Sequence, residues 1–227
     1  MTPAEPLKLN LGAGYTYIPG FVNVDISPIA EVTVELGREK LPFEDNSVDV
    51  IFSYQTLEHV ENYLAAMADI YRVLKHGGRF LVGLPYVTLT EYHLVNPYHL
   101  HNFNEHSFAF FDPARLLGSA AEEHAIIFHE VYYRLHYRGA FNLMPGPIRK
   151  WCRRHLFNVV RKIDYGLLAV KDRSLPLNPP TPAEMVREFI QYMHSRVPYG
   201  QTKPAPIEKS WRNTKIELAK WWDGNGD

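Results

Sequence analysis

Two groups of side chains in this sequence could do chemistry, and they lie in different stretches of the chain. The first is the bend Gly12-Ala13-Gly14, which follows the apolar run Leu7 to Leu11, together with Asp25, which ends the run Phe21-Val22-Asn23-Val24. Glycines let the backbone turn sharply and let a ligand lie against main-chain N–H groups. A carboxylate at the carboxyl end of a neighbouring parallel strand accepts hydrogen bonds from the two hydroxyls of a ribose. This is not the dinucleotide fingerprint. The third glycine position holds Tyr17, and Asp25 comes after a short loop with Pro19 and Gly20 instead of about twenty residues on. A site without the long pyrophosphate-binding helix suits a nucleoside cofactor lacking phosphates, and S-adenosyl-L-methionine (SAM) has that form. A purely structural strand-to-turn glycine pair is the competing reading of the bend.

The second group is histidine-rich: Glu58-His59, then Glu91, Tyr92 and His93, then Tyr98-His99-Leu100-His101. In an extended segment His99 and His101 point the same way, because the side-chain period of a strand is two. Histidine titrates near neutral pH, so either could take a proton from a hydroxyl. Tyr86, Glu91, Tyr92 and His93 are candidates to line an acceptor pocket. His106, within Asn104-Glu-His-Ser, reads as helix-start chemistry.

These residues need a scaffold. Short apolar runs at 7–11, 21–25, 32–36, 48–53 and 79–84 read as strands, and the spacing of Tyr63, Met67, Ile70 and Leu74 predicts a helix over 60–75, ended by Gly77-Gly78. The alternation predicts a doubly wound α/β domain. Residues 86–113 lack periodicity, with a helix expected near Asn104, and 126–137 reads as a late edge strand, partly antiparallel. The spacing of Ile148, Trp151, Cys152, Leu156, Val159 and Ile163 predicts a basic-flanked helix from Met144 to 163. Its cationic face admits a membrane-surface or acidic-acceptor role, or simple packing on the domain. After the stiff proline-rich stretch from Leu175, a helix is expected over 182–194, and another over 207–222. The organisation expected is a cofactor domain over 1–140 and a helical C-terminal elaboration over 141–227 packing on it.

Composition narrows the classes. The chain has 227 residues, 24 Lys and Arg against 25 Asp and Glu, and one cysteine, Cys152. Near-balanced charge disfavours nucleic acid as main partner, and a lone cysteine excludes an internal disulfide or a CxxC metal site. The sequence shows no signal peptide and no run of membrane-spanning length, so a cytoplasmic protein is expected.

Four segments in order carry a family resemblance: Asn10 to Asp25, Leu41-Pro-Phe-Glu-Asp-Asn-Ser-Val-Asp49, Ser53-Tyr-Gln-Thr-Leu-Glu-His-Val60, and Tyr71-Arg-Val-Leu-Lys-His-Gly-Gly-Arg-Phe80. The chain resembles the class I SAM-dependent methyltransferases of the type 11 domain family over roughly residues 7–86. The resemblance implies a Rossmann-like, mostly parallel seven-stranded sheet with helices on both faces. It places Gly12 and Gly14 under the methionine moiety, Asp25 on the ribose, Glu35 and Leu36 beside the adenine, and Ser53 to Gln55 near the sulfonium, with Asn10 and Ala13 also among the cofactor-binding residues. Two departures stand out: the third loop glycine is missing and the first helix is reduced to a turn. In ubiquinone-pathway O-methyltransferases a similar Glu-x-x-Glu-His segment binds a divalent cation. Here Gln55 takes the first position, leaving Glu58 and His59 as metal ligands, with Mg²⁺ the ion expected; the competing reading has Glu58 capping a helix and His59 lining the SAM pocket.

The activity expected is methyl transfer from SAM to a hydroxyl of a small molecule, a saccharide first, with His59, His99 or His101 or a metal assisting deprotonation. The alternatives are N- or C-methylation of another metabolite, and a non-catalytic SAM-binding module. Whether the protein is a homodimer stays open.

Overall fold

The computed structural model describes residues 5–112 and 126–200. The helix expected over 207–222 lies outside the described residues. The elements in order are β1 (Lys8–Leu11), β2 (Thr16–Tyr17), β3 (Val22–Asp25), β4 (Val32–Thr33), β5 (Val48–Tyr54), α1 (Tyr63–Val73), β6 (Leu74–Pro85), β7 (Phe128–Tyr137), α2 (Gly146–His155), β8 (Val160–Ala169), α3 (Pro182–His194) and β9 (Val197–Pro198).

Seven strands form one sheet in the order β4-β3-β1-β5-β6-β8-β7. The pairs from β4 to β6 are parallel, and β8 runs antiparallel to both β6 and β7. The chain builds outward from β1 to β3 and β4, then returns to β1's other side to lay down β5. The strand order therefore reverses between β1 and β5, and in open α/β sheets ligands bind outside the carboxyl ends of strands at such a point.

Period-two alternation sorts side chains to two faces. Ile51, Phe80, Val82 and Leu167 pack with Ala66, Met67, Ile70 and Val73 of α1. Val50, Phe52, Leu81 and Leu168 pack with Met185, Val186, Phe189 and Ile190 of α3. The β1–β3 connection is too short for a crossover helix, which needs a dozen or more residues. The face it leaves bare is covered by α3, far along the chain, and α3 is followed by β9, which pairs antiparallel with β2 inside that short connection.

The structure corrects several sequence expectations. Residues 148–163 are not one helix: α2 ends at His155, Asn158 turns in the left-handed region at φ 60°, and Val160 begins β8. Because β8 sits between β6 and β7, the sheet draws strands from both sides of residue 140, and no domain boundary falls there. Nor does α2 pack on the core as a stripe; of its residues only Cys152 is buried, while Ile148 and Trp151 are about half exposed. The helix expected over 60–75 is shorter at both ends. Residues Leu57–His59 form a separate 3₁₀ turn, Asn62 caps α1 by accepting from the Ala65 N–H, and the chain passes straight into β6 at Leu74. Strand 32–36 shrinks to Val32–Thr33. Near Asn104 the chain makes a turn and one 3₁₀ segment, Ala109–Phe111, instead of a longer helix.

Candidate functional site

At the end of β1, Gly12 adopts φ 71° and Gly14 φ 59°, a region that L side chains with a Cβ avoid. The loop also presses close to the end of β5: a Cβ on Gly12 would sit 1.9 Å from Thr56 Oγ1. Asp25, at the end of β3, lies directly against this bend. Its Oδ2 accepts from the Gly14 N–H at 2.8 Å, and its Oδ1 accepts from the Ser27 N–H at 2.9 Å. Each carboxylate oxygen has a second lone-pair direction, so the group is oriented by the backbone and still able to accept from a ligand. The glycine bend and the carboxylate thus form one unit.

Beside it, a cleft of about 520 Å³ opens over the ends of β5 and β6, lined by Tyr54, Gln55, Glu58, His59, Pro85, Leu89, Tyr92, Asn96, His99, Arg161 and Lys162. Within it the ligand atoms of Glu58, His59 and His99 all lie within 4.8 Å of one another. The hydrogen bonds assign their protons. His59 Nδ1 faces the Tyr98 carbonyl at 3.0 Å, an acceptor only, so Nδ1 carries the hydrogen and Nε2 a lone pair. His93 Nε2 faces Asn102 Oδ1 at 2.9 Å and therefore donates, which leaves His93 Nδ1 as an acceptor 2.7 Å from His99 Nδ1. His99 Nδ1 must then donate, and His99 Nε2 presents a lone pair. Glu58 is buried, and among the described residues its Oε2 has no hydrogen-bond partner. Burial pushes its carboxyl up to about 7. Burial, with the nearby imidazoles, also draws His99 and His93 below the ordinary histidine value. With Glu58 ionised, above about pH 7, the three side chains present lone pairs to the cleft and no donor.

The expected site residues divide accordingly. Glu58, His59, His99, Tyr92 and Gln55 line the cleft; Gln55 is held at φ 54°. Glu58 does not cap a helix, since it sits on the 3₁₀ turn and the cap of α1 is Asn62. His101 is outside the cleft lining: its Nε2 is 2.7 Å from the Val60 carbonyl and its ring packs on Tyr63. Tyr86 points into the core and donates to Glu105 Oε2 at 2.7 Å, and Glu91 pairs with Arg138 at 2.9 Å, so neither lines the cleft. His93 is buried behind His99 and positions it. Asn10 is buried and donates to Asn23 Oδ1 at 2.9 Å, tying β1 to β3. Ser53 is fully buried beneath the cleft floor. Glu35 pairs with Arg38, and Leu36 is half-buried; both follow β4 and neither lines the cleft. The donor set does not fit Mg²⁺, which takes oxygen ligands, because two of the three donors are imidazoles.

Sequence reading missed Pro85, Leu89, Asn96, Arg161 and Lys162 as lining residues. The two cations were absorbed into the helix expected over 148–163. The signal against that helix was Phe157-Asn158 followed by the β-branched pair Val159-Val160.

A reversal of strand order at β1/β5, a glycine bend gripped by the carboxylate beyond it, and an adjacent cleft define the architecture of the class I methyltransferases. Residues 21–82 match the family model described as "Methyltransferase domain". The fold is thus the Rossmann-like class I methyltransferase fold, and the family match covers residues 21–82 of it. It is 39% identical over 62 residues, 27% of this chain, to the sterol 4-C-methyltransferase strm-1 of Caenorhabditis elegans, and covers 18% of that protein. It is 47% identical over 51 residues, 21% of this chain, to the ubiquinone/menaquinone biosynthesis C-methyltransferase UbiE of Brucella canis, again covering 18% of it. The chain thus matches less than a fifth of the length of these relatives. A SAM-dependent methyltransferase from Archaeoglobus fulgidus shares the fold at TM-score 0.51 and 12% identity, over 72% of this chain and 86% of that one.

Proposed function

We propose that this protein transfers the methyl group of SAM to a hydroxyl of a small molecule, with a saccharide as the first acceptor class. The observation that carries this reading is the convergence of Glu58, His59 and His99 in the cleft beside the glycine bend. Methyl transfer is an in-line displacement: the acceptor oxygen bonds the methyl carbon as the S–CH₃ bond breaks, and S-adenosylhomocysteine leaves. The sulfonium needs no acid to depart. What a hydroxyl acceptor needs is placement at roughly 3–3.5 Å from the methyl and loss of its proton. With Glu58 ionised, the wall offers lone pairs that orient the O–H bond toward it and draw the proton away from the attacking oxygen. SAM would lie over Gly12, Ala13 and Gly14, its ribose hydroxyls donating to Asp25 and its adenine bordered by Leu36. Tyr54 and Tyr92 give the cleft aromatic faces for sugar C–H surfaces, and Arg161 and Lys162 add positive charge.

The test is release of S-adenosylhomocysteine from SAM across a panel of hydroxylated acceptors, with His99→Ala as the comparison. Turnover of a hydroxyl acceptor that falls at least about tenfold in the variant, with SAM affinity kept, supports the reading. Turnover indifferent to His99 would overturn the role given to the cleft. A second reading, methylation at carbon, is favoured by the C-methyltransferase names of both relatives. It predicts a product whose new methyl resists ether cleavage.

A further inference from the structure

We propose that Glu58, His59 and His99 bind a divalent transition ion of borderline softness, of the Zn²⁺ type, rather than Mg²⁺. Three observations meet here. The donor atoms come from separate parts of the chain, the 3₁₀ turn after β5 and the loop after β6, yet all lie within 4.8 Å of one another. First-row ions hold nitrogen and oxygen ligands at roughly 2.0–2.2 Å, so the set needs to close by only ~1 Å around an ion. Second, the outer hydrogen bonds are those that ligating imidazoles make. A metal-bound histidine donates its other ring N–H to a carbonyl, carboxylate or similar acceptor, which fixes the tautomer. His59 does so to the Tyr98 carbonyl, and His99 does so to His93, itself held by Asn102. Third, Glu58 Oε2 is buried and has no hydrogen-bond partner among the described residues. Buried polar atoms of this kind demand an explanation, and an ion supplies one.

Two imidazoles and one carboxylate match the donor set of catalytic zinc and related centres, which keep a position open for substrate. The cleft supplies the open side. The inference deepens the methyl-transfer reading and rests on it only for what the ion does. An ion held by Glu58, His59 and His99 would act as a Lewis acid that makes a hydroxyl at its open position easier to deprotonate before methyl transfer. Ion binding itself is independent of any acceptor.

The test uses the whole chain, stripped with EDTA and titrated with Co²⁺, whose visible absorption reports nitrogen and oxygen ligation directly. One equivalent should bind with a new visible band, Zn²⁺ should displace it, and millimolar Mg²⁺ should not. His59→Ala and His99→Ala should each weaken Co²⁺ binding at least about tenfold, and His93→Ala by about 10–100-fold through loss of the outer hydrogen bond. Glu58→Gln, which keeps shape and removes charge, should weaken it as well. His129→Ala, an exposed histidine on β7, should leave it unchanged. The inference is overturned by absence of saturable Co²⁺ binding, by binding indifferent to His59 and His99, or by equal displacement with Mg²⁺. SAM affinity measured on the stripped and loaded protein separates the two ideas. A chain that binds Co²⁺ as described but not SAM keeps the ion site and loses the methyl-transfer reading.

Discussion

Asp25 shows how much one residue can do when two backbone groups hold it. With Gly14 N–H on one oxygen and Ser27 N–H on the other, its carboxylate is fixed without losing its capacity for a diol. Hydrogen bonds to a charged group contribute about 1.5–3 kcal/mol, which is roughly 10–100-fold in affinity. Asp25→Ala should therefore weaken SAM binding by that factor in calorimetry, with a small loss of thermal stability because Gly14 N–H loses its acceptor. An unchanged SAM affinity would refute the ribose assignment. His93 is the other residue whose effect reaches past itself. It touches no cleft surface, yet it dictates the His99 tautomer. On the methyl-transfer reading, His93→Ala should lower kcat while leaving the KM for SAM near the wild-type value; a purely structural role would instead lower Tm and leave the kcat of the folded fraction intact. Asp25 and the glycine bend were legible in the sequence, because a strand, a bend and a carboxylate are local. The role of His93 was not, since it depends on a hydrogen-bond chain through Asn102 that no spacing encodes.

At the scale of elements, legibility followed burial and capping. The strands at β1, β3 and β5 show as short apolar runs, and α3 shows as a helix opening at Pro182 after a proline-rich stretch; the fold adds a reciprocal capping box between Thr181 and Glu184. The strand β8 was hidden because Ile148, Trp151, Cys152, Val159 and Ile163 fall at helical spacing by coincidence across a break at Asn158. Gly166 marks what the strand requires. A Cβ there would lie 2.3 Å from Tyr132 Cε1 and 3.0 Å from Met185 Cε, so β8 can approach β7 and α3 only without one. Gly166→Ala should destabilise the fold by about 1–3 kcal/mol, the cost of overpacking a filled core. A thermal melt should show this as a drop of several degrees, and an unaltered melt would mean that the Tyr132 ring swings aside freely. Gly12→Ala belongs to the same scale but with a different outcome: positive φ and the Thr56 contact together should displace the cofactor loop.

The whole molecule is closed by α3, which covers the sheet face that a short β1–β3 connection leaves open, and beneath it lies a buried charge. Asp164 of β8 is fully buried; its Oδ2 accepts from Arg134 Nη2 at 2.5 Å and Nε at 3.0 Å and from His136 Nε2 at 2.6 Å, and the Arg134 guanidinium lies over the Phe189 ring of α3. Burial alone would push Asp164 up, but His136 and Arg134 reverse this and hold it well below the usual carboxylate range. Burial draws His136 below its ordinary value, so near pH 7 it bonds Asp164 as a neutral donor and Arg134 carries the balancing charge. Both shifts have the same sign in their effect on acid stability. The unfolded chain protonates this histidine near pH 6.5 and this aspartate near 3.8, each more readily than the folded chain does. Stability from this cluster is therefore complete above about pH 6.5, begins to fall below it, and falls again below about 3.8. Asp164→Asn leaves Arg134 buried without its counter-charge, which costs about 3–5 kcal/mol at neutral pH. Urea unfolding of both proteins from pH 8 to pH 3 should show that difference shrinking below about pH 4, where the carboxylate of the unfolded wild-type chain protonates while the folded one stays ionised. A difference that stayed constant down to pH 3 would mean that packing of the side chain, and not its charge, is what α3 closes over.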